Sequence, residues 1–224
     1  MLNSYRAVLF DLDGTLVDHS NAARAGVIAW SQELGIPPDP ARWQALEQQW
    51  FLAYEHGKLT HSGQRAARVR EYLHEPKLSE TAALQLFDGF LHQYIASMQP
   101  FSGAAEVLEQ CFDCEQLVGI ATNGAASLQT TKLRTTGLWD DRLIMLAAVE
   151  MEAAKPNPEF YTRALDIVGT APADTIMVGD TLPNDVLAPI AAGIAAIHVD
   201  HAGTGTTDPR YPTIRDLSEL LNAP

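Results

Sequence analysis

Arg6-Ala7-Val8-Leu9-Phe10-Asp11-Leu12-Asp13-Gly14-Thr15 is a short apolar run that stops abruptly on two acids and a glycine. A buried strand opening into a polar loop is the simplest structure for it, because bulky and β-branched residues suit a strand and Asp-x-Asp-Gly-Thr suits a turn. The fold follows from what lies outward of this stretch. After Pro100 the texture alternates. Leu117–Ala121, Ile144–Ala148, Thr175–Val178 and Ala195–Val199 read as strands, with helices near Gly103–Glu109, Leu128–Thr136, Pro158–Val168 and Pro183–Ala192. Strand-helix alternation predicts right-handed crossovers and a parallel sheet. Pro189 falls inside one helical stretch, which predicts a kink or an earlier end. Ala202–Pro212 reads as a loop before a last short helix near Leu217.

From about Asn21 to Ser97 glycine is sparse and apolar residues recur at helical spacing, as in Val27, Trp30, Leu34 and in Leu84, Phe87, Leu91, Ile95. Breaks at Gly35–Pro40, Gly57 and Glu75-Pro76 divide this stretch into about four helices without strands. The predicted architecture is α/β: a Rossmann-like parallel-sheet core from residues 1–17 and 98–224, with an inserted α-helical domain at 18–97.

The 224 residues carry a net charge of −13, which argues against nucleic acid as a partner. No run of eighteen apolar residues is present, so no membrane span is predicted. The start of the chain lacks the long apolar region of a secretory signal, and a cytoplasmic location is expected. Cys111 and Cys114 form a CxxC late in a predicted helix, away from a helix start that would activate a thiolate, so a structural reading is preferred to a redox one.

Polar motifs follow the strands, where open α/β sheets bind ligands. Asp11 is a candidate nucleophile toward phosphorus and Asp13 a candidate acid and base, although the same residues make an Asx-rich turn. Thr122-Asn123-Gly124 offers a hydroxyl and backbone N–H groups to phosphate oxygens, and is equally a helix-capping turn. Lys155 precedes a proline-started helix and could neutralise nucleophile and phosphate together, where most lysines are simply solvated. Asp180 follows the most apolar strand and, with Asp11, supplies a carboxylate pair suited to Mg²⁺; Asp185, near a helix start, is also an acid favoured by the helix dipole. Taken together, a nucleophile, an acid, a hydroxyl, a lysine and a metal ligand are the inventory of phosphoryl transfer.

Asp11-Leu12-Asp13-Gly14-Thr15, Thr122, Lys155-Pro156 and Gly179-Asp180-x4-Asp185 resemble, in order, the four motifs of the haloacid dehalogenase superfamily. The resemblance covers nearly the whole chain. It implies a Rossmann-like core with a helical cap of the C1 type inserted after the first motif. It implies Asp11 as nucleophile, Asp13 as general acid and base, Thr122 and Lys155 as phosphate ligands, and Asp180 as a Mg²⁺ ligand. The Asp13 backbone carbonyl would be a further metal ligand and Asp185 a supporting one. Family members that cleave carbon–halogen bonds lack an acid at the Asp13 position, since halide leaves without a proton. Gly57-Lys58-Leu59-Thr60 followed by Arg65 is similar to segments of members acting on nucleotides and sugar phosphates. Arg65 or Arg68, and His19, become candidate contacts to the substrate beyond its phosphate.

The expected function is a Mg²⁺-dependent phosphatase acting on a small phosphorylated metabolite: a sugar phosphate, phosphoglycolate or a nucleoside monophosphate. A phosphosugar mutase of the same family is the alternative, and a receiver-type phosphoacceptor is a third reading, disfavoured by the helical insertion and by Asp13. Monomer and homodimer are equally open.

Overall fold

The computed structural model describes residues 1–203, 205 and 208–221. Within the predicted loop at 202–212, Thr204, Thr206 and Thr207 lie outside the described residues. The chain divides into two compact units, Met1–Asp18 with Gln99 onward, and His19–Met98.

The first unit is built on six parallel strands: β1 (Ala7–Phe10), β2 (Leu117–Thr122), β3 (Ile144–Ala147), β4 (Thr175–Gly179), β5 (Ala195–Val199) and β6 (Thr213–Ile214). Their order across the sheet is β3-β2-β1-β4-β5-β6. The chain first winds outward from β1 to β3, then returns to the other side of β1 as β4. The loops after β1 and β4 therefore part in opposite directions and leave a crevice at their carboxyl ends. β1 and β4 are buried at every residue, which explains why they read as continuous apolar runs rather than alternating ones. Leu9, Ala121, Leu146 and Met177 present one face of the sheet to Phe160, Tyr161, Ala164 and Val168 of a helix at Pro158–Val168.

The second unit holds α1 (His19–Glu33), α2 (Pro40–Glu55), α3 (His61–Tyr72) and α4 (Glu80–Ala96). Asp39, Thr60 and Ser79 cap α2, α3 and α4 by accepting from the backbone N–H groups of Arg42, Gly63 and Ala82. The bundle centre is aromatic, with Trp30 5.3 Å from Trp43 and Trp43 4.5 Å from Phe90, ring centre to ring centre. At Gly26 a Cβ would come within 2.8 Å of the Tyr94 backbone, so glycine lets α1 and α4 touch. The buried stripe of α4 is Ala83, Phe87, Phe90 and Tyr94 rather than the predicted Leu84, Phe87, Leu91 and Ile95. The stripe is offset because burying large rings gains more than burying leucines. Leu34 is also exposed rather than internal.

In the first unit the remaining helices are α5 (Ala104–Asp113), α6 (Ala126–Thr135), α7 (Ala148–Met151), α8 (Pro158–Val168) and α9 (Ala188–Ala191). Where one helix is predicted over Pro183–Ala192, a π-helical turn at Leu182–Leu187 precedes α9. Pro189 has no N–H to donate and sits in the first turn of α9, where the loss is tolerated. The last helix near Leu217 is a 3₁₀ turn, Leu217–Leu220. No helix among the described residues is long and apolar enough to cross a membrane. Cys111 is buried in α5 and Cys114 exposed just beyond it; burial, and then the neighbouring Cys114, pushes the Cys111 thiol up to about 12, the reverse of an activated thiolate.

Candidate active site

The site is assembled at the crevice beyond β1 and β4. The backbone N–H of Asp11 donates to Val178 O at 2.9 Å, which carries the sheet register one residue past β1 and aims Asp11 outward from the strand end. The chain then turns on Gly14, whose φ of +95° is strained for any other residue. A Cβ there would lie 2.4 Å from Asp180 Oδ2, so glycine also makes room for the second acid. Asp180 follows β4 directly. Thr15, fully buried, directs its hydroxyl to Asp11 Oδ2 at 3.2 Å and lies 3.4 Å from Asp180 Oδ1.

Lys155 reaches this pair from the loop before α8. Its Nζ donates to Asp11 Oδ1 at 2.8 Å, Asp185 Oδ1 at 2.6 Å and Ala121 O at 2.7 Å. All three ammonium protons are thus engaged by oxygen. Asn123 holds the lysine backbone from both sides: its Nδ2 donates to Lys155 O at 2.8 Å and its Oδ1 accepts from Lys155 N at 2.7 Å. The sequence suggests Asn123 as a phosphate ligand; in the structure its side chain fixes the lysine to the end of β2. Asp185 also accepts from Thr181 N at 3.0 Å through Oδ2, so both its oxygens have protein donors.

The electrostatics are unbalanced. Asp11, Asp180 and Asp185 offer carboxylate oxygens within 4.8 Å of one another. Lys155 is the cation among them. Burial, only partly offset by Lys155 and reinforced by Asp185, raises the Asp11 carboxyl to about 7. Burial and the Asp11 charge raise Asp180 to about 6, and burial raises Asp185 as well. Burial alone would lower the Lys155 ammonium, but Asp11 and Asp185 outweigh it and push it up. Hard oxygen donors carrying surplus negative charge suit a divalent cation such as Mg²⁺.

Thr122, at the end of β2, accepts from Gln129 Nε2 at 2.5 Å and from Gly124 N at 3.1 Å. With both lone pairs engaged, its hydroxyl proton is left to donate. The Asp13 carboxylate is not part of the three-acid group. It is clamped by α6: Lys132 Nζ lies 2.6 Å from each of its oxygens, and Gln129 Nε2 donates to Oδ2 at 2.9 Å. Neither Gln129 nor Lys132 is a motif residue. Their signal in the sequence is faint: two polar residues at i and i+3, next to Leu133, on one helix face that turns out to be buried.

The remaining candidates lie in the helical unit. Arg65 and Arg68 belong to the helical unit, where their guanidinium groups lie 5.2 and 5.4 Å from the Phe87 ring centre. Arg68 pairs with Glu47 at 2.8 Å, and His19 bonds Glu47 at 3.2 Å and Tyr94 at 2.7 Å. Within that unit these side chains are linked through Glu47, Tyr94 and Phe87.

A family profile described as haloacid dehalogenase-like hydrolase matches residues 5–193. The ribulose-1,5-bisphosphate 5-phosphatase of Halopiger xanaduensis is 28% identical over 205 residues, covering 87% of this chain and 84% of that protein. The phosphoglycolate phosphatase of Neisseria meningitidis is 28% identical over 194 residues, covering 87% and 80%. Among solved structures, the HAD-hydrolase YfnB of Bacillus subtilis bound to magnesium has a TM-score of 0.83 at 23% identity over 96% of each chain, a likeness of fold. Since the matched span contains Asp11, Thr122, Lys155, Asp180 and Asp185 on this sheet, the chain belongs to the haloacid dehalogenase-like hydrolases.

Proposed function

We propose that this enzyme is a Mg²⁺-dependent phosphatase that hydrolyses small phosphate monoesters through an aspartyl-phosphate on Asp11. One observation carries the reading. At the crevice where the strand order reverses, a buried carboxylate has a lysine at 2.8 Å and lies in a group with a second strand-end acid, Asp180. Relatives that are phosphatases of small sugar and carboxylate phosphates support the substrate class. The presence of Asp13 supports ester cleavage over dehalogenation, because an alkoxide needs a proton on leaving and a halide does not.

An Asp11 oxygen attacks phosphorus, and the bond from phosphorus to the ester oxygen breaks. Asp13, protonated for this step, gives its proton to the departing alcohol. Asp13 as carboxylate then takes a proton from water, whose oxygen attacks the same phosphorus. The Asp11–phosphorus bond breaks, releasing inorganic phosphate and restoring both acids. Thr122 donates its hydroxyl to a phosphoryl oxygen, and Lys155 offsets charge on Asp11 and the phosphoryl group. Asp11, the Asp13 carbonyl and Asp180 would hold Mg²⁺, with Asp185 in support, and the ion when bound would neutralise charge on the phosphoryl oxygens. The helical unit, inserted between β1 and β2, would act as a cap that selects the organic part of the substrate. Arg65 is the candidate contact to the substrate beyond its phosphate.

The test is hydrolysis of 4-nitrophenyl phosphate and of a panel of phosphorylated sugars, phosphoglycolate and nucleoside monophosphates. Activity should vanish with chelator and return with Mg²⁺. Brief mixing with substrate and acid quench should leave a phosphoryl group on the peptide containing Asp11. Asp11→Asn should abolish turnover; residual activity above about a hundredth of wild type would remove Asp11 from the nucleophile's role. Product in which phosphate has moved within a sugar, without free phosphate, would replace hydrolysis by mutase chemistry.

A further inference from the structure

The geometry points to Lys132 and Gln129 as positioning residues that hold the Asp13 carboxylate in register with the phosphate-binding Thr122. This inference rests on the role given to Asp13 above. The side chains lie three residues apart on one face of α6, and both are buried. Lys132 Nζ meets both Asp13 oxygens at 2.6 Å, which fixes the rotation of the carboxylate. The Gln129 amide group spans two residues with one nitrogen, donating to Asp13 Oδ2 at 2.9 Å and to Thr122 Oγ1 at 2.5 Å. The proton-transfer group and a ligand of the phosphoryl oxygens are thereby joined through one side chain. A reacting ester would have its phosphoryl oxygen at Thr122 and its leaving oxygen at Asp13, so the spacing between those two residues is the spacing the reaction requires. Positioning errors of about 0.5 Å are costly in such constellations.

Three further features support the clamp. Gln129 Oε1 is buried without a hydrogen-bond partner, a cost tolerated because the amide nitrogen must face the Asp13 carboxylate. At Gly124 a Cβ would meet the Gln129 side chain at 2.8 Å, so the turn after Thr122 is shaped around this amide. α6 itself is anchored at its start, where Ala126 N donates to both Glu150 carboxylate oxygens at 3.0 and 3.1 Å.

The test compares wild type, Lys132→Met, Lys132→Arg, Asp13→Asn and the double variant Lys132→Met with Asp13→Asn on phenyl phosphate and 4-nitrophenyl phosphate. kcat/KM reports the steps up to departure of the alcohol, where the proton is needed far more by phenol than by nitrophenol. Lys132→Met should lower kcat/KM by about 10–100-fold on phenyl phosphate and by less than about threefold on 4-nitrophenyl phosphate, with partial rescue by Lys132→Arg. In the Asp13→Asn background, Lys132→Met should cost almost nothing more, because the two act through one carboxylate. Equal losses on the two esters, a gain on phenyl phosphate, or full additivity with Asp13→Asn would overturn the inference. If Asp13→Asn itself shows no dependence on the leaving group, the acid role of Asp13 fails, and additivity alone then decides the clamp. Should Lys132→Met not fold by circular dichroism, Lys132→Gln carries the same comparison.

Discussion

The carboxylates gathered at the strand ends and the carboxylate held among the helices shift in opposite directions. At the strand ends Asp11 is raised to about 7 and Asp180 to about 6, chiefly by burial. In the helical unit, burial also pushes Glu47 up, but Arg68 and His19 outweigh it and leave its carboxyl well below the usual range. The difference is one of balance. Glu47 has a buried guanidinium at 2.8 Å and an imidazole at 3.2 Å, so its charge is answered within the unit. Asp11 and Asp185 share Lys155 while Asp180 stands beside them, so among the described residues three carboxylates are paired with one ammonium. A balanced buried network holds a structure together; an unbalanced one is a site waiting for a cation or a proton.

The sharpest way to break this contrast is to remove one carboxylate from each region. Asp11→Asn should lose activity by well over about a hundredfold, yet the metal-free protein should melt no lower than wild type, because a destabilising like charge is gone. Asp180→Asn should likewise lose Mg²⁺-dependent activity and raise the metal-free melting temperature. Glu47→Gln should do the reverse to stability. It strands Arg68, whose side chain is 3% exposed, and should destabilise the protein by about 3 kcal/mol in denaturant unfolding. A metal-free Asp180→Asn protein that melts well below wild type would show that the strand-end acids are structural after all.

The sequence and the structure agree best where the chemistry is local. Asp11, Thr122 and Asp180 each sit at or next to a strand end and Lys155 three residues before α8, so polar residues beside element boundaries are enough to place them. The clamp on Asp13 escaped that logic, because Lys132 lies 119 residues from its partner and a lysine in a helix ordinarily faces water. The hold of Asn123 on the Lys155 backbone escapes it for a related reason: the two lie 32 residues apart, and no local pattern marks that task. β6 is only Thr213–Ile214, too short to show a period, and its pairing with β5 is decided by the sheet rather than by its own residues. The predicted strand at Ile144–Ala148 ends at Ala147, where the chain enters α7; alanine suits either state and marks no boundary.

The smallest effect, and the one that sharpens the comparison most, is the pH dependence of stability. An acid whose carboxyl is raised on folding holds its proton more tightly in the folded chain. Its contribution is fully present below the unfolded value and is lost as pH rises through the folded one. For Asp11 that window runs from 3.8 to about 7, and for Asp180 from 3.8 to about 6. Glu47 has the opposite sign: its contribution is present above 4.5 and is lost as pH falls. In chelator, the melting temperature of the strand-end unit should therefore fall as pH rises from 5 to 7, a window above the unfolded values in which Glu47 is already fully charged. With Mg²⁺ in excess the slope should flatten or change sign, since a bound cation favours the ionised carboxylates. In Asp180→Asn one of the titrating groups is gone, so the metal-free slope should shrink and its response to Mg²⁺ should weaken with it. Identical slopes with and without Mg²⁺ in the wild-type protein would mean that the surplus charge is not what the cation answers.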